Sequence, residues 1–289
     1  MSRLALVTVH GPEYHPNRRL LEAAHERGAA LELLHPFRAW CALTGGHAGL
    51  LGADPPPVVI PRVGSTISPY TLALLRHLEL MGARLVNGPS AIELASHQYL
   101  SLQALATAGL PVPDTCLVNR PEGWEAALER LGGYPVVAKL PAGRQGRGVA
   151  LIQDQDQAAL AQQLWLQQRR GLLVQRYLPP EGRRDLRVLV LGHEAVAGME
   201  LTPPAGEFRA NVHLGGRPRD YSPGGAAAGL AVAAARALGL EVAGVDPVQP
   251  DGGPLMVMEV NFTPGFQGLE QASGRDVAGM LLEHALKGG

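Results

Sequence analysis

Three polar residues near the end of the chain stand inside two apolar runs and could hold a hard cation. Asp246 lies in the run 242–248, and Glu259 and Asn261 lie in the run 255–262. The runs predict two buried strands joined by an Asp-Gly-Gly turn, so Glu259 and Asn261 would share a face with Asp246 beside them. Unpaired buried carboxylates are strongly disfavoured, whereas magnesium takes oxygen ligands of this kind. The pattern favours a divalent-cation site. The alternative is that Asp246 opens a turn and Glu259 ends a strand.

Lysine usage singles out a second position. Only Lys139 and Lys287 are lysines in a chain with 25 basic residues, and Lys139 interrupts the apolar run 135–140, which predicts a strand. Lysine carries a compact charge that can approach one phosphate oxygen closely. The alternative is a lysine that snorkels from a strand edge. The glycine-rich loop 143–148 follows, and its backbone N–H groups could approach an anion, although a flexible turn is the simpler interpretation. Its spacing matches neither the P-loop nor the dinucleotide fingerprint.

The elements that must position these residues fall into three predicted domains, at residues 1–94, 95–178 and 179–289. Strands are predicted at residues 4–9, 30–34, 58–60, 85–86, 136–140, 149–152, 172–178, 187–192, 195–200, 242–248 and 255–262. Helices are predicted at residues 17–27, 69–80, 95–108, 158–169, 225–238 and 277–286. Residues 45–57 are predicted to be loop because glycine and proline interrupt them.

The first domain alternates strands and helices, which predicts a parallel sheet with helices on its faces. Ligands of such sheets bind beyond the carboxyl ends of the strands. Arg62, Gly64 and Ser65 follow the strand 58–60 and are therefore candidates for a substrate-binding loop. An ordinary connection between a strand and a helix explains the same residues equally well.

Composition excludes several classes of protein. The chain of 289 residues has a net charge of −1 and 4% aromatic residues, so it carries neither a basic field nor base-stacking platforms for nucleic acid. Its two cysteines, Cys41 and Cys116, are isolated, which argues against a disulfide scaffold or a zinc site. No run reaches the roughly 18 to 20 apolar residues that span a membrane, and no signal peptide is evident, so a cytoplasmic location is expected.

The order of motifs along almost the whole chain resembles the ATP-grasp superfamily, and it is most similar to the RimK branch of carboxylate–amine ligases. The resemblance implies an α/β (α+β ATP-grasp) fold: an N-terminal parallel-sheet pre-ATP-grasp domain followed by two lobes that clamp ATP. The motifs that carry it are Pro61-Arg62-Val63-Gly64, Lys139 with its glycine loop, Val174-Gln175-Arg176-Tyr177-Leu178, Asp185-Leu186-Arg187, Phe208-Arg209-Ala210-Asn211 with Gly215-Gly216, Ala243-Gly244-Val245-Asp246, and Met258-Glu259-Val260-Asn261-Phe262-Thr263-Pro264-Gly265.

Such enzymes phosphorylate a carboxylate with ATP, and an amine then attacks the acyl phosphate to give an amide. The resemblance implies that this chain joins an amino acid such as glutamate to an amine, peptide or protein acceptor, and that it uses magnesium or manganese. It also implies a role in nucleotide binding for Lys139, Gly146, Gly148, Gln175, Arg176, Tyr177, Leu178 and Asp185. Arg209 and Asn211 would meet the terminal phosphate and take part in catalysis, while Asp246, Glu259 and Asn261 would hold the metal. Arg187 would bind the acyl phosphate; a salt bridge to Glu200 is the equally weighted alternative.

The chain departs from the family pattern at three places near the nucleotide or the acidic substrate. Gln98 stands where relatives carry a lysine, Arg176 replaces an acidic hinge residue, and residues 200–203 lack the paired arginines that relatives often carry. These changes leave two alternatives to the ligase: an ATP-binding protein that has lost catalysis, or an ATP-grasp enzyme of different chemistry, such as a LysX-like amino-group-carrier ligase or a dipeptide ligase. A homodimer or homotetramer is possible, because relatives often form them.

Overall fold

The computed structural model describes residues 3–144, 147–166, 171–210 and 214–287. The first region contains β1 (Arg3–Val7), α1 (His15–Glu26), β2 (Ala30–Leu34), β3 (Cys41–Thr44), β4 (His47–Leu50), β5 (Val58–Pro61), α2 (Pro69–Leu80), β6 (Arg84–Leu85) and α3 (Pro89–Ala95). Four of these strands form a sheet of order β2-β1-β5-β6, and every pair in it is parallel. The central strands β1 and β5 are apolar because both of their faces are buried, against α1 on one side and α2 on the other.

Two predicted elements of this region were wrong in detail. Residues 45–57 are not all loop, because β4 pairs with β3 in a separate antiparallel hairpin. The helix predicted at 95–108 is instead two helices that break at His97. The backbone of His97 is extended, and its Nδ1 accepts a hydrogen bond from the Leu100 N–H at 3.4 Å. A side chain that caps the second helix therefore ends the first one.

The second region contains α4 (Gln98–Thr107), β7 (Thr115–Val118), α5 (Pro121–Leu131), β8 (Val136–Arg144), β9 (Arg147–Ile152), α6 (Gln155–Trp165) and β10 (Leu172–Arg176). Its antiparallel sheet has the order β7-β10-β8-β9. One face packs against α5 and α6 in a cluster that includes Trp124, Val136 and Ala138. Since side chains alternate along a strand, Lys139 and Gln175 lie on the opposite face.

The third region contains β11 (Arg184–Leu191), β12 (Glu194–Thr202), β13 (Arg217–Asp220), α7 (Gly225–Ala237), β14 (Val242–Gln249), β15 (Met256–Asn261), α8 (Gln267–Ser273) and α9 (Val277–Lys287). Its antiparallel sheet has the order β13-β12-β11-β14-β15. Alanines of α7 bury one face of the sheet, together with Val188, Val245 and Val257. Part of the other face packs on β1, α1 and α9 through Leu4, Leu20, Met199 and Leu281. The rest of that face carries the polar residues of the site.

This architecture confirms the predicted fold class: a parallel N-terminal sheet is followed by two lobes that are built on antiparallel sheets. The two lobes meet through Leu173 of β10, which packs in the same apolar cluster as Val188 of β11 and Val260 of β15. Across the ranges that the structure describes, no helix has the length and apolar content needed to cross a membrane.

Candidate active site

The two predicted carboxylates meet on neighbouring strands. Asp246 of β14 and Glu259 of β15 are directly opposite each other in the antiparallel register, and Asn261 is opposite Gly244. The Asn261 side-chain amide lies 3.5 Å from Asp246 Oδ2. Both carboxylates sit inside their strands, so the alternative that they mark a turn and a strand end is wrong.

A β-bulge fixes the direction in which these side chains point. The register passes from Asp246–Glu259 to Pro247–Val257, which leaves Met258 as an extra residue. Val257 and Val260 both pack into the core although they are three residues apart, a spacing that a regular strand would divide between its two faces. Because the bulge absorbs one residue, Met258 and Glu259 both face the cleft between the second and third regions, on whose other side Lys139 lies.

Arg187 binds Asp246 with both arms of its guanidinium. Its Nε donates to Oδ1 at 2.7 Å and its Nη2 donates to Oδ2 at 2.6 Å. The alternative salt bridge to Glu200 is therefore wrong: Glu200 pairs with Arg184 and Arg219 instead. Burial disfavours the charged form of Arg187, but Asp246 and Glu259 hold its pKa above the ordinary value. One positive charge thus lies next to the two carboxylates.

Glu259 lacks a partner of its own. In the part of the chain that the structure describes, its carboxylate accepts no hydrogen bond and forms no ion pair. Burial is the main cause of the raised pKa of Glu259, and the negative charge of Asp246 adds to it, while Arg187 and Lys139 oppose both effects. A divalent cation would satisfy the unpaired oxygens and relieve the repulsion between the carboxylates.

The donor set fits a hard cation with oxygen ligands. Among the described residues no group of three or more His, Cys, Asp and Glu side chains could hold a metal ion, so a third protein donor beside Asp246 and Glu259 would be of another residue type. The amide oxygen of Asn261 is suitably placed on the same face of β15, and magnesium accepts such a mixed set completed by water or phosphate.

Lys139 faces these acids from the other lobe. It is only 9% exposed, and its strand β8 lies between β10 and β9. Its Nζ donates to Gln175 Oε1 at 2.6 Å and lies 3.7 Å from Met258 Sδ, while Gln175 Nε2 donates to Thr115 Oγ1 at 2.8 Å. The snorkelling alternative is therefore wrong. Burial lowers the pKa of Lys139 to about 8; Glu259 opposes this shift and Arg183 adds to it.

The segment that joins the two lobes continues from β10. Gln175 and Arg176 end the strand and pair with β8, and Tyr177 and Leu178 follow it. The Arg176 side chain is exposed and its Nη2 lies 2.9 Å from Asp114 Oδ2. The positive charge that stands in place of an acidic hinge residue thus forms an ion pair at the surface.

Arg183 is a buried arginine whose hydrogen bonds hold this segment in place, and the sequence analysis did not identify it. Its side chain is 5% exposed and donates to three acceptors: the Leu178 carbonyl, the Phe208 carbonyl at 2.6 Å, and Asp185 Oδ2 at 3.0 Å. The Tyr177 and Phe208 rings also meet edge to face, with centroids 6.0 Å apart. Arg183 thus ties the joining segment to the loop before Arg209. Burial raises the pKa of Asp185, against the effect of Arg183.

Removal of this arginine is expected to cost stability. An Arg183→Met variant would leave two carbonyls and a partly buried carboxylate without their donor, so we expect the free energy of unfolding to fall by about 2 to 3 kcal/mol. Urea denaturation measures the change. The neighbouring Arg184→Met variant is the control, because its exposed ion pair is expected to contribute less than about 1 kcal/mol. Equal losses in the two variants would contradict the bridging role of Arg183.

The remaining predicted residues are placed as follows. Arg209 donates from Nε and Nη2 to the Glu207 carboxylate at 2.9 and 2.7 Å. Gly146 and Asn211 lie outside the described residues. Gly148 has φ +78°, and a Cβ there would lie 2.8 Å from Leu140 Cδ1, so the position requires glycine. Gln98 is the first residue of α4.

The predicted substrate loop lies against both lobes. Gly64 and Ser65 belong to a short 3₁₀ turn at Gly64–Thr66, which contacts β8. Arg62 is buried, with its Nη2 donating to the Pro264 carbonyl at 3.0 Å and its guanidinium 5.6 Å from the Phe266 ring centroid. Burial lowers the pKa of Arg62 to about 10, a shift that Tyr14 opposes, so the side chain is still charged at neutral pH.

Comparisons with known proteins bear on the family and the fold of the chain. A model described as RimK-like ATP-grasp domain matches residues 95–285, and a RimK pre-ATP-grasp domain model matches residues 3–92. A probable alpha-L-glutamate ligase from Methanococcoides burtonii is 37% identical over 280 residues, covering 94% of this chain and 92% of the relative. A probable alpha-L-glutamate ligase 1 from Shewanella amazonensis is 36% identical over 284 residues, covering 97% and 94%. The solved ATP-grasp ligase PsnB, complexed with a phosphomimetic variant of minimal precursor, Mg and ADP, shares the fold with a TM-score of 0.77 and 19% identity, covering 99% of this chain and 98% of PsnB.

Proposed function

The chain belongs to the RimK-like ATP-grasp family, whose members are ATP-dependent carboxylate–amine ligases, and we propose that it joins glutamate to an amine or peptide acceptor. One observation carries the proposal. The Lys139 ammonium, which has no carboxylate within hydrogen-bonding distance among the described residues, faces the unpaired Glu259 carboxylate across the cleft between the lobes. A cation-bound polyphosphate has the charge pattern that would satisfy both groups.

The residues around the cleft can be assigned to the parts of ATP. We assign Lys139 to the α and β phosphates, and Arg209 with Asn211 to the terminal phosphate. The segment from Gln175 to Leu178 would meet the adenine edge, with Asp185, Gly146 and Gly148 completing the nucleotide site. Asp246, Glu259 and Asn261 would hold Mg²⁺ or Mn²⁺. When bound, the metal neutralises charge on the phosphate oxygens during transfer.

The chemistry needs two displacements. In the first, a carboxylate oxygen attacks the terminal phosphorus, the bond to the β-phosphate oxygen breaks, and ADP leaves. In the second, the amine nitrogen attacks the acyl carbon, phosphate leaves, and the nitrogen loses a proton. A carboxylate is a poor electrophile without a leaving group, and the protein contributes mainly position and positive charge. Arg187, held toward the cleft by Asp246, is our candidate for binding the acyl phosphate.

The names of the relatives support glutamate as one substrate, since two of them at 36% and 37% identity are named probable alpha-L-glutamate ligases. The acceptor is expected to be less acidic than the family's acidic peptides. Residues 200–203 lack the paired arginines that relatives often carry, and Leu201 is buried on the same face of the sheet as Arg187. The loss of those charges removes attraction for an acidic partner.

Release of ADP tests the proposal directly. Purified protein is incubated with ATP, MgCl₂, L-glutamate and a panel of amines and peptides, and products are identified by mass spectrometry. We expect ADP release to require both an amine and a carboxylate, and the acceptor to gain the mass of a glutamyl residue. Tight ATP binding without turnover for any pair would instead indicate a nucleotide-binding protein that has lost catalysis, which the uncharged Gln98 would explain.

A further inference from the structure

Arg62 is a buried cation that no carboxylate neutralises within the described structure. It is 7% exposed, and among the described residues its side chain forms one hydrogen bond, from Nη2 to the Pro264 carbonyl. Its Nε is fully enclosed and has no acceptor. A guanidinium carries five N–H donors, and a buried charge without a partner destabilises a folded protein. A structural role alone does not account for such an arrangement.

Two other residues with unsatisfied polar atoms lie near this segment: the His15 ring contacts Phe266, and Thr263 is three residues before Phe266 in sequence. The described residues contain four enclosed side-chain atoms without a hydrogen-bond partner, and three of them belong to this corner: Arg62 Nε, His15 Nδ1 and Thr263 Oγ1. The His15 ring centroid lies 6.0 Å from that of Phe266, over which Arg62 is placed, and Thr263 precedes Pro264. Since native proteins satisfy nearly all buried polar groups, this concentration indicates a ligand that completes them.

The corner lies next to the reaction centre. Pro264, which accepts from Arg62, comes three residues after Asn261 on the segment that leaves β15. The turn at Gly64–Thr66 contacts β8, which carries Lys139, and a Cβ at Gly64 would lie 3.9 Å from Thr263. The void that Arg62 lines beside Leu20 and Val86 is only about 10 Å³, too small for an organic group. That void does not admit a substrate, so the proposal requires a ligand to reach Arg62 from another side.

We propose that Arg62, with His15 and Thr263 beside it, binds a substrate carboxylate that is not phosphorylated. The inference rests on the proposed ligase function and specifies how glutamate is held. Glutamate carries two carboxylates, so at least one remains free whether glutamate supplies the activated acid or the attacking amine. The planar fork of arginine matches a carboxylate in two parallel hydrogen bonds. Lys139 meets ATP phosphate on the opposite lobe, which leaves Arg62 for the amino acid.

Binding measurements on two variants test the assignment. Isothermal titration with L-glutamate, L-glutamine and L-isoglutamine is performed on the wild-type protein, Arg62→Met and Arg62→Lys, each with MgCl₂ and a non-hydrolysable ATP analogue. We expect Arg62→Met to weaken L-glutamate binding about 10- to 100-fold, in line with the loss of a charge-assisted hydrogen bond. It should also lose the preference for L-glutamate over one of the two amides. Affinity for the ATP analogue should stay within about twofold, because Arg62 is not assigned to the nucleotide.

The stability of the variants separates binding from folding. Removal of a buried unpaired charge is expected to leave the melting temperature unchanged or to raise it. If Arg62→Met does not fold, Arg62→Lys decides, because it keeps the charge and loses the fork: weaker glutamate binding supports the proposal and unchanged binding overturns it. Arg76→Met, which removes an exposed arginine on α2, is the matched control and should bind like the wild type.

Three results would overturn the proposal: no measurable glutamate binding to the wild-type protein, glutamate affinity within about twofold of the wild type in Arg62→Met, or an equal loss of affinity for inorganic phosphate in that variant. The last result would mean that Arg62 is a general anion site that binds phosphate as well as a carboxylate. Failure of the ligase function is a different outcome, in which glutamate binds through Arg62 and no ADP is released.

Discussion

Replacement of Glu259 by glutamine is expected to abolish ADP release while the fold stays intact. Glutamine keeps the shape of glutamate and loses the charge, so the bulge and the strand pairing at Glu259 are preserved. If the carboxylate holds the metal, several kcal/mol of charge stabilisation in the transition state are lost, which corresponds to about a 10³-fold fall in kcat. The assay is ADP release at saturating ATP over a titration of MgCl₂. Glu93→Gln, which changes an exposed carboxylate on α3, is the control.

The same variant has a second expected signature, in its stability. Burial and Asp246 raise the pKa of Glu259, so the native state binds the proton more tightly than the unfolded state. Its contribution to stability is therefore present at low pH and is lost as pH rises from the ordinary glutamate pKa of about 4.3 through the raised value. The glutamine variant lacks this loss, and its melting temperature at pH 7 should equal or exceed that of the wild type without metal. In the activity assay, unchanged ADP release by Glu259→Gln would show that Glu259 is not a metal ligand.

The sequence could predict the faces of the site but not its pairings. Alternation along one strand places Glu259 and Asn261 together, and the rare use of lysine singles out Lys139, because both signals are local. The bidentate contact between Arg187 and Asp246, which are 59 residues apart in sequence, depends on the register between β11 and β14. The bulge at Met258 separately shifts the pairing of β15 with β14 by one residue, and periodicity in one strand does not reveal such a shift.

Arg183 shows a second limit of sequence analysis. In the sequence it is one of two arginines in a polar turn, where an exposed side chain is the natural expectation. It is nevertheless buried and donates to Asp185 and Leu178, two and five residues away, and to Phe208, 25 residues away. Two of these acceptors are backbone carbonyls, which leave no trace in residue type. The sequence therefore does not reveal that Arg183 is buried; this depends on the tertiary contact with Phe208.

Replacement of Lys139 by methionine is expected to remove the pH dependence of nucleotide binding together with most of the affinity. Burial lowers the pKa of Lys139 to about 8, so the wild-type ammonium loses its proton just above neutral pH. If Lys139 contacts the phosphates, affinity for an ATP analogue should fall as pH rises through about 8. At pH 7 the methionine variant should bind about 10- to 100-fold more weakly, because a charge-assisted hydrogen bond is lost. Isothermal titration between pH 6.5 and about 9.5 covers the titration of the lysine.

The stability of the wild-type protein is expected to change with pH in the opposite direction to its nucleotide affinity, which falls as pH rises. The unfolded lysine has a pKa of about 10.4, so between about 8 and 10.4 the unfolded state binds more protons than the native state, and wild-type stability should rise with pH. Below about pH 8 the full cost of the buried charge is present, on the order of 3 kcal/mol. Lys139→Met should therefore be more stable than the wild type at pH 7 and should show a flatter profile above pH 8. Lys139→Arg keeps a charge that does not titrate in this range, so its nucleotide affinity should not vary with pH. If the affinity of the wild-type protein is also constant across pH 8, Lys139 does not contact the phosphates. A group that loses its charge near pH 8 cannot bind an anion equally well below and above that pH.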